Sequence, residues 1–256
     1  VVTLARAAAA KGGIYDTHLR DESSYTIGLH KAIEEALRIG REANIPVHIA
    51  HIKALGVDVH GQAPAIIAMI EAAQRAGQVV HADQYAWSAS HTSLSAALIP
   101  RRAQDGGRDA MLQRFDDGPS MESMRLEIAE NLRRRGGAAS LLITSGPADA
   151  QGKTLEAVAK EQGVDPVVAA IEILKQSEAR VASFNQNEND IAAFMLRPWD
   201  VTSSDATLGH PRYYGSFARK YATYVKDRKV MSLQAFIDQS TATAAAMFSL
   251  EGRGQL

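Results

Sequence analysis

Between Tyr25 and Asn44 the apolar residues Ile27, Leu29, Ile33, Leu37 and Ile39 recur mostly at steps of three and four, which puts them on one stripe of a helix. Asn44 closes that helix, and Pro46 restarts the chain as the short apolar run Val47 to His51, the form of a buried parallel strand. The unit then repeats. Ala63 to Ala76 reads as a second helix stopped by Gly77, and Val79 to Tyr85 as the next strand. Gly12 to His18 supplies an earlier strand of the same kind. A helix alternating with a strand that ends in polar residues is the signature of a βα array on a parallel sheet, so the fold class is α/β.

The rhythm breaks after Tyr85. His18 and His51 are 33 residues apart and His51 and Asp83 are 32 apart, but the next comparable strand end, Val201 to Asp205, reaches Asp205 122 residues after Asp83. The stretch from about 92 to 182 has its own character. It holds a charged segment from Arg101 to Arg135, a strand predicted at Ser140 to Thr144, and helices predicted at Thr154 to Glu161 and Pro166 to Lys175. The expected organisation is residues 1–91 as βα units, 92–182 as an inserted lid or subdomain, and 183–256 as a last strand with C-terminal helices. Within that last part the pattern predicts a short strand at Ser183 to Asn187, and helices at Asp190 to Arg197, Phe217 to Lys226 and Leu233 to Phe248.

Composition narrows the chemistry. With 256 residues, 46% hydrophobic and 22% charged, the chain buries a full core. Its net charge of -1 offers no global field for nucleic acid or an anionic membrane. The run Arg133-Arg134-Arg135 has no interleaved aromatics and reads as a helix end rather than a nucleic-acid patch. No stretch approaches the roughly 20 apolar residues of a membrane span. The absence of cysteine removes disulfides, zinc-thiolate sites and cysteine nucleophiles.

What remains is a set of polar groups at the C-terminal ends of the strands, where barrel active sites are built. His18 and Arg20 end the first strand, His51 and Lys53 the second, Asp83 and Tyr85 the third, and Asp205 the fourth. Two imidazoles at successive strand ends with a carboxylate at a later one suit zinc or a similar ion. The bland readings stand beside this one: Lys53 pairs with a neighbouring acid, Tyr85 is a barrel aromatic, and Arg20 and Glu22 form a structural ion pair behind His18. His81 reads as a structural or supporting group, and His30, His60 and His91 as solvated.

The strings Tyr15-Asp16-Thr17-His18-Leu19-Arg20-Asp21-Glu22, His51-Ile52-Lys53, Asp83-Gln84-Tyr85 followed by Ser90 and Thr92, Ser204-Asp205, and His210-Pro211-Arg212 with Gly215 resemble the successive signatures of the D-aminoacylase (N-acyl-D-amino-acid deacylase) branch of the amidohydrolases. The resemblance implies a (β/α)8 TIM barrel of which this chain supplies strands 5 to 8, with an insertion between strands 7 and 8 and truncation at both ends. It implies His18, His51 and Asp205 as metal ligands, His18 and His51 on the same ion, in a site of one or two divalent ions, zinc, with part of the ligand set upstream. It makes Asp205 the strand 8 carboxylate that is also general base and acid, and it gives Lys53, Tyr85 and Arg212 the α-carboxylate of a small N-acyl amino acid. The expected reaction is hydrolysis of that linear amide by metal-activated water. The alternatives are a cyclic amide hydrolase of the hydantoinase or dihydroorotase type, and an inactive barrel fragment. Leu94 and Leu98, where an acidic-substrate enzyme would carry Arg, lean the expected side chain towards neutral or hydrophobic.

Overall fold

In the computed structural model, which describes residues 1–255, four short strands lie side by side and parallel: β1 (Tyr15–Thr17), β2 (Val47–Ile49), β3 (Val80–Gln84) and β7 (Asp200–Thr202). Helices α1 (Val2–Ala9), α2 (Leu29–Ala43) and α3 (Ala63–Arg75) precede β1, β2 and β3 in turn. Asn44 closes α2 in the left-handed region at φ 51°, as its place after the apolar stripe implied. The apolar stripe of α2 faces the sheet. Ile33, Ile66 and Ile70 meet Val47 and Ile49 with all five side chains fully buried, each contributing about 1.5–3 kcal/mol relative to exposure. In register, His48 lies beside His81, and Asp83 beside Val201, so the strand ends align on one rim.

Between β3 and β7 the chain builds a separate antiparallel sheet, in the order β4 (Ala89–Ser93), β6 (Arg180–Phe184), β5 (Leu141–Ser145). Helices α4 (Leu94–Leu98), α5 (Arg101–Gln104), α6 (Gly107–Asp116), α7 (Gly118–Arg134), α8 (Leu155–Gln162) and α9 (Pro166–Gln176) surround it. This unit has its own core, from Leu94 and Leu98 through Ile128 and Ile143 to Ile173 and Val181. Strand β4 is absent from the sequence reading because Ala89 to Ser93 is small and polar, and it becomes a strand only by pairing with β6. The strand expected at Ser183 to Asn187 begins earlier, at Arg180.

The C-terminal part carries α10 (Glu188–Met195) before β7, then α11 (Arg212–Arg219), which runs on into a π-helical segment from Lys220 to Asp227. The single helix expected from Leu233 to Phe248 is two, α12 (Leu233–Ser240) and α13 (Ala242–Met247). The backbone breaks between them at Thr241, with φ -139° and ψ -90°. Among the described residues no helix is long and apolar enough to cross a membrane.

Candidate active site

All six side chains singled out from the sequence, His18, His51, Lys53, Tyr85, Asp205 and Arg212, line one cavity of about 890 Å³ at the C-terminal rim of the parallel sheet. His18 follows β1 directly, and its Nδ1 stands 2.8 Å from Nε2 of His51 at the end of β2. Their donor atoms and a carboxylate oxygen of Glu22 lie within 4.8 Å of one another, a compact set of two imidazoles and one carboxylate suited to a divalent ion. Burial, which outweighs the opposing pull of Glu22, holds the His18 pKa below its ordinary value and so favours the neutral, ligating imidazole.

Glu22 departs from the expected pairing with Arg20. Arg20 turns away to Glu35 with a two-pronged contact of 2.8 and 2.9 Å. Glu22 instead accepts from Lys53 Nζ at 2.5 Å and lies 3.1 Å from Nδ1 of His51. Burial alone would raise the Glu22 pKa, but the Lys53 charge and the His51 contact overcome it and hold the carboxyl far below its usual range. Lys53 thus does pair with a neighbouring acid, and its Nζ is also 2.7 Å from His51 Nδ1. The signal available in the sequence was the i, i+4 spacing of His18 and Glu22, which in the loop after a strand brings both to one rim.

Arg212 and Asp205 line the same cavity, with Arg212 Nη1 2.6 Å from Asp205 Oδ2. The contact is an ion pair off the line of a hydrogen bond, so Nη1 and Nε of this buried guanidinium have no hydrogen-bond acceptor. Its Cζ sits 4.7 Å from the centre of the Tyr85 ring. Tyr85 is buried, its oxygen accepts from Gln186 Nε2 at 2.9 Å, and burial raises its pKa, so the phenolic proton stays on and remains free to donate. His51 and Asp205 both occupy positive φ, 39° and 44°, a conformation strained for side chains of this kind.

The loop that carries Asp205 is pinned to the inserted sheet. Arg180 donates to His91 Nδ1 at 3.3 Å and to Thr207 Oγ1 at 3.2 Å, and His91 Nε2 meets Thr144 Oγ1 at 2.9 Å. Gly209, at φ +90°, passes so close that a Cβ there would meet Thr144 Oγ1 at 3.3 Å. His210 Nδ1 accepts from the Arg212 N–H at 3.0 Å and so fixes the start of α11. His91 is therefore buried in β4 rather than solvated, whereas His30 and His60 are exposed, His60 Nε2 making a 3.1 Å contact with the Asn185 carbonyl. Below the rim, His48 Nε2 lies 2.8 Å from Asp83 Oδ2. Burial opposes ionisation of Asp83, and the hydrogen bonds from His48 and Ser203 reverse it, so its pKa is lowered. Alternation along β2 put His48 on the same face as its neighbour His81, but nothing in the sequence singled it out.

Leu94 and Leu98 do not touch the cavity. Both are fully buried in the core of the inserted unit, so the lean towards an apolar substrate side chain loses its basis. The wall there is formed by Ala96, Ala97, Ile99 and Pro100.

A parallel sheet with paired imidazoles and a carboxylate at its C-terminal rim defines, as a class, a segment of an amidohydrolase barrel. No family model matches the chain. It is 29% identical over 260 residues to a D-aminoacylase of Alcaligenes xylosoxydans xylosoxydans, covering 100% of this chain and 45% of the relative. To the N-acyl-D-aspartate deacylase of the same organism it is 30% identical over 251 residues, covering 96% of this chain and 42% of the relative. It superposes with a TM-score of 0.75 and 26% identity on N-acyl-D-glutamate deacylase from Bordetella bronchiseptica, solved with zinc and a phosphonate mimic of the tetrahedral intermediate; that match covers 99% of this chain and 46% of the other. The chain is thus a homologue of the D-aminoacylase family of amidohydrolases and corresponds to its C-terminal part, spanning under half the length of the relatives it matches.

Proposed function

We propose that this chain supplies the His18, His51 and Asp205 side of the active site of an N-acyl-D-amino-acid deacylase, a hydrolase of linear amide bonds. The observation that carries the reading is the convergence of two imidazoles, a carboxylate and three carboxylate-binding donors on one cavity. His18 and His51 would hold zinc together with ligands from elsewhere in the barrel, and Asp205 would face the same ion. Such an ion, when bound, acidifies water and polarises an amide carbonyl.

The chain's own residues do the rest. With its proton on Nδ1 and turned to the Glu22 carboxylate, which Lys53 holds in place, His51 presents Nε2 towards His18 and the ion. Arg212, Tyr85 and Lys53 line the cavity as donors for a substrate carboxylate: Arg212 through its guanidinium, Tyr85 through its hydroxyl, and Lys53 through N–H groups not spent on Glu22. Holding the substrate by its α-carboxylate sets the scissile amide against Asp205, which takes the proton of the attacking water and returns it to the leaving nitrogen.

The test uses the protein as its gene encodes it, zinc-loaded, with N-acetyl-D-amino acids, their L-enantiomers and dihydrouracil or hydantoin as substrates; release of free amine reads the acetyl compounds, and conversion of the ring to the N-carbamoyl acid reads the cyclic ones. Hydrolysis of the D series that falls by about 10²- to 10⁴-fold in Asp205→Asn is the expected result. Cleavage of the cyclic amides alone would move the reading to the hydantoinase type, and cleavage of nothing would leave the inactive barrel.

A further inference from the structure

Lys220 opens the π-helical segment that continues α11 and lies fully buried on the helix side of the parallel sheet, outside the cavity. An ammonium is costly to bury unless it is hydrogen-bonded. Its Nζ donates to Thr202 Oγ1 at 2.9 Å and to Gln239 Oε1 at 3.0 Å, two neutral oxygens from two different elements, β7 and α12. Asp200, fully buried in the same strand as Thr202, is not the partner. Neither of its oxygens has a hydrogen-bond partner, and burial raises its pKa against the opposing pull of Lys220. Gln239 is in turn locked to the chain just before β7, its Nε2 donating to the Met195 and Arg197 carbonyls at 3.1 and 2.9 Å. Thr202 Oγ1 also lies 2.8 Å from Ser240 Oγ.

The two arms that Lys220 joins are those that carry Asp205 and Arg212. Thr202 is the last residue of β7, three residues before Asp205, and Lys220 lies eight residues after Arg212 on one continuous helix. Thr202 is in register with Gln84, so alternation turns its hydroxyl to the helices while Asp83 and Tyr85 face the other way. Asp205 sits at φ 44°, a conformation that its surroundings must hold. For stability alone, an apolar side chain of the same length would serve as well as a buried ammonium or better. We infer that Lys220 is a positioning residue: it ties the foot of the Asp205 loop to the helix that carries Arg212, and so fixes the general base and the carboxylate-binding guanidinium relative to each other. The inference rests on the deacylase reading for the roles of Asp205 and Arg212, and adds the group that sets their spacing.

The test uses the zinc-loaded protein as its gene encodes it, beside Lys220→Met, Thr202→Val and Thr202→Ser. Met keeps the length of the stem without the ammonium, Val keeps the shape of Thr without the acceptor, and Ser keeps the acceptor. Two readouts are taken: kcat and KM for the N-acetyl-D-amino acid that the parent hydrolyses fastest, and amide hydrogen exchange over residues 203–212 against residues 15–53. In Lys220→Met and Thr202→Val, kcat/KM should fall by roughly 10- to 100-fold, through a lower kcat and a higher KM together, because Asp205 and Arg212 both shift. Exchange over residues 203–212 should speed up in the same two variants and stay at the parent rate over residues 15–53, and Thr202→Ser should recover both readouts. The two Thr202 variants carry the test if Lys220→Met fails to fold. Parent kinetics and parent exchange in Lys220→Met and Thr202→Val overturn the inference. So does faster exchange spread equally over both segments, or a Thr202→Ser that fares no better than Thr202→Val, since either leaves Lys220 a structural role only. If the parent hydrolyses nothing, the deacylase reading falls, and the exchange pattern alone decides whether Lys220 holds the loop.

Discussion

At the scale of single residues, Glu22 and Lys53 show how closely the site's polar groups depend on one another. Lys53 is buried, and its Nζ donates to the Glu22 carboxylate at 2.5 Å. Removing the acid leaves an unpaired buried ammonium, so Glu22→Gln should lower stability by about 3–5 kcal/mol, measured by urea unfolding, whereas Glu35→Gln, which frees only the exposed Arg20, should cost under about 1 kcal/mol. The site residues themselves were legible because strand ends can be read from apolar runs, and polar residues directly after them must share a rim. The partners of those residues were not. Arg20 and Glu22 are two positions apart, which strict alternation would put on one side, yet one goes to Glu35 and the other to Lys53, a choice made by α2 and the loop after β2 rather than by local sequence. Likewise nothing in a lone Ala-Ser-His-Thr-Ser run announces that His91 will be buried against Thr144 and Arg180.

Between elements, the contact that matters is the one joining the inserted sheet to the loop after β7. Its two buried histidines, His91 and His210, have pKa values lowered to about 4 from 6.5, first by burial and then by Arg180 and Arg212 for His91, and by Arg212 for His210. The folded state therefore binds fewer protons than the unfolded chain between those values. Stability is complete above pH 6.5 and declines as pH falls from 6.5 towards 4. Urea midpoints across that interval should fall, and the decline should be shallower in His91→Asn, where one of the two groups no longer titrates. At the other junction, Gly56→Ala combines a positive φ of 97° with a 2.4 Å collision against Arg134, so it should loosen α7. Limited proteolysis of the residues around 118–137 reports this, with faster cleavage expected than in the parent protein. The helices and parallel strands were readable from periodicity because each buries one face against a neighbour in sequence. Strand β4 and the break at Thr241 were not, because one depends on pairing with β6, about 90 residues away, and the other on packing of the final turns.

For the molecule as a whole, four parallel strands and an inserted antiparallel unit together enclose one cavity, and the chemistry sits where the two meet. The barrel side contributes His18, His51, Lys53 and Tyr85, and the loop after β7 contributes Asp205 and Arg212 under the hold of the inserted sheet. The central claim is that His18 and His51 are metal ligands. Elemental analysis of the protein as its gene encodes it, beside His18→Ala and His51→Ala, tests that directly. Zinc bound to the parent protein and reduced by at least about tenfold in affinity in each variant is the expected result. A parent protein that takes up no divalent metal, or variants that bind it as tightly as the parent, would contradict it and return both imidazoles to a structural role.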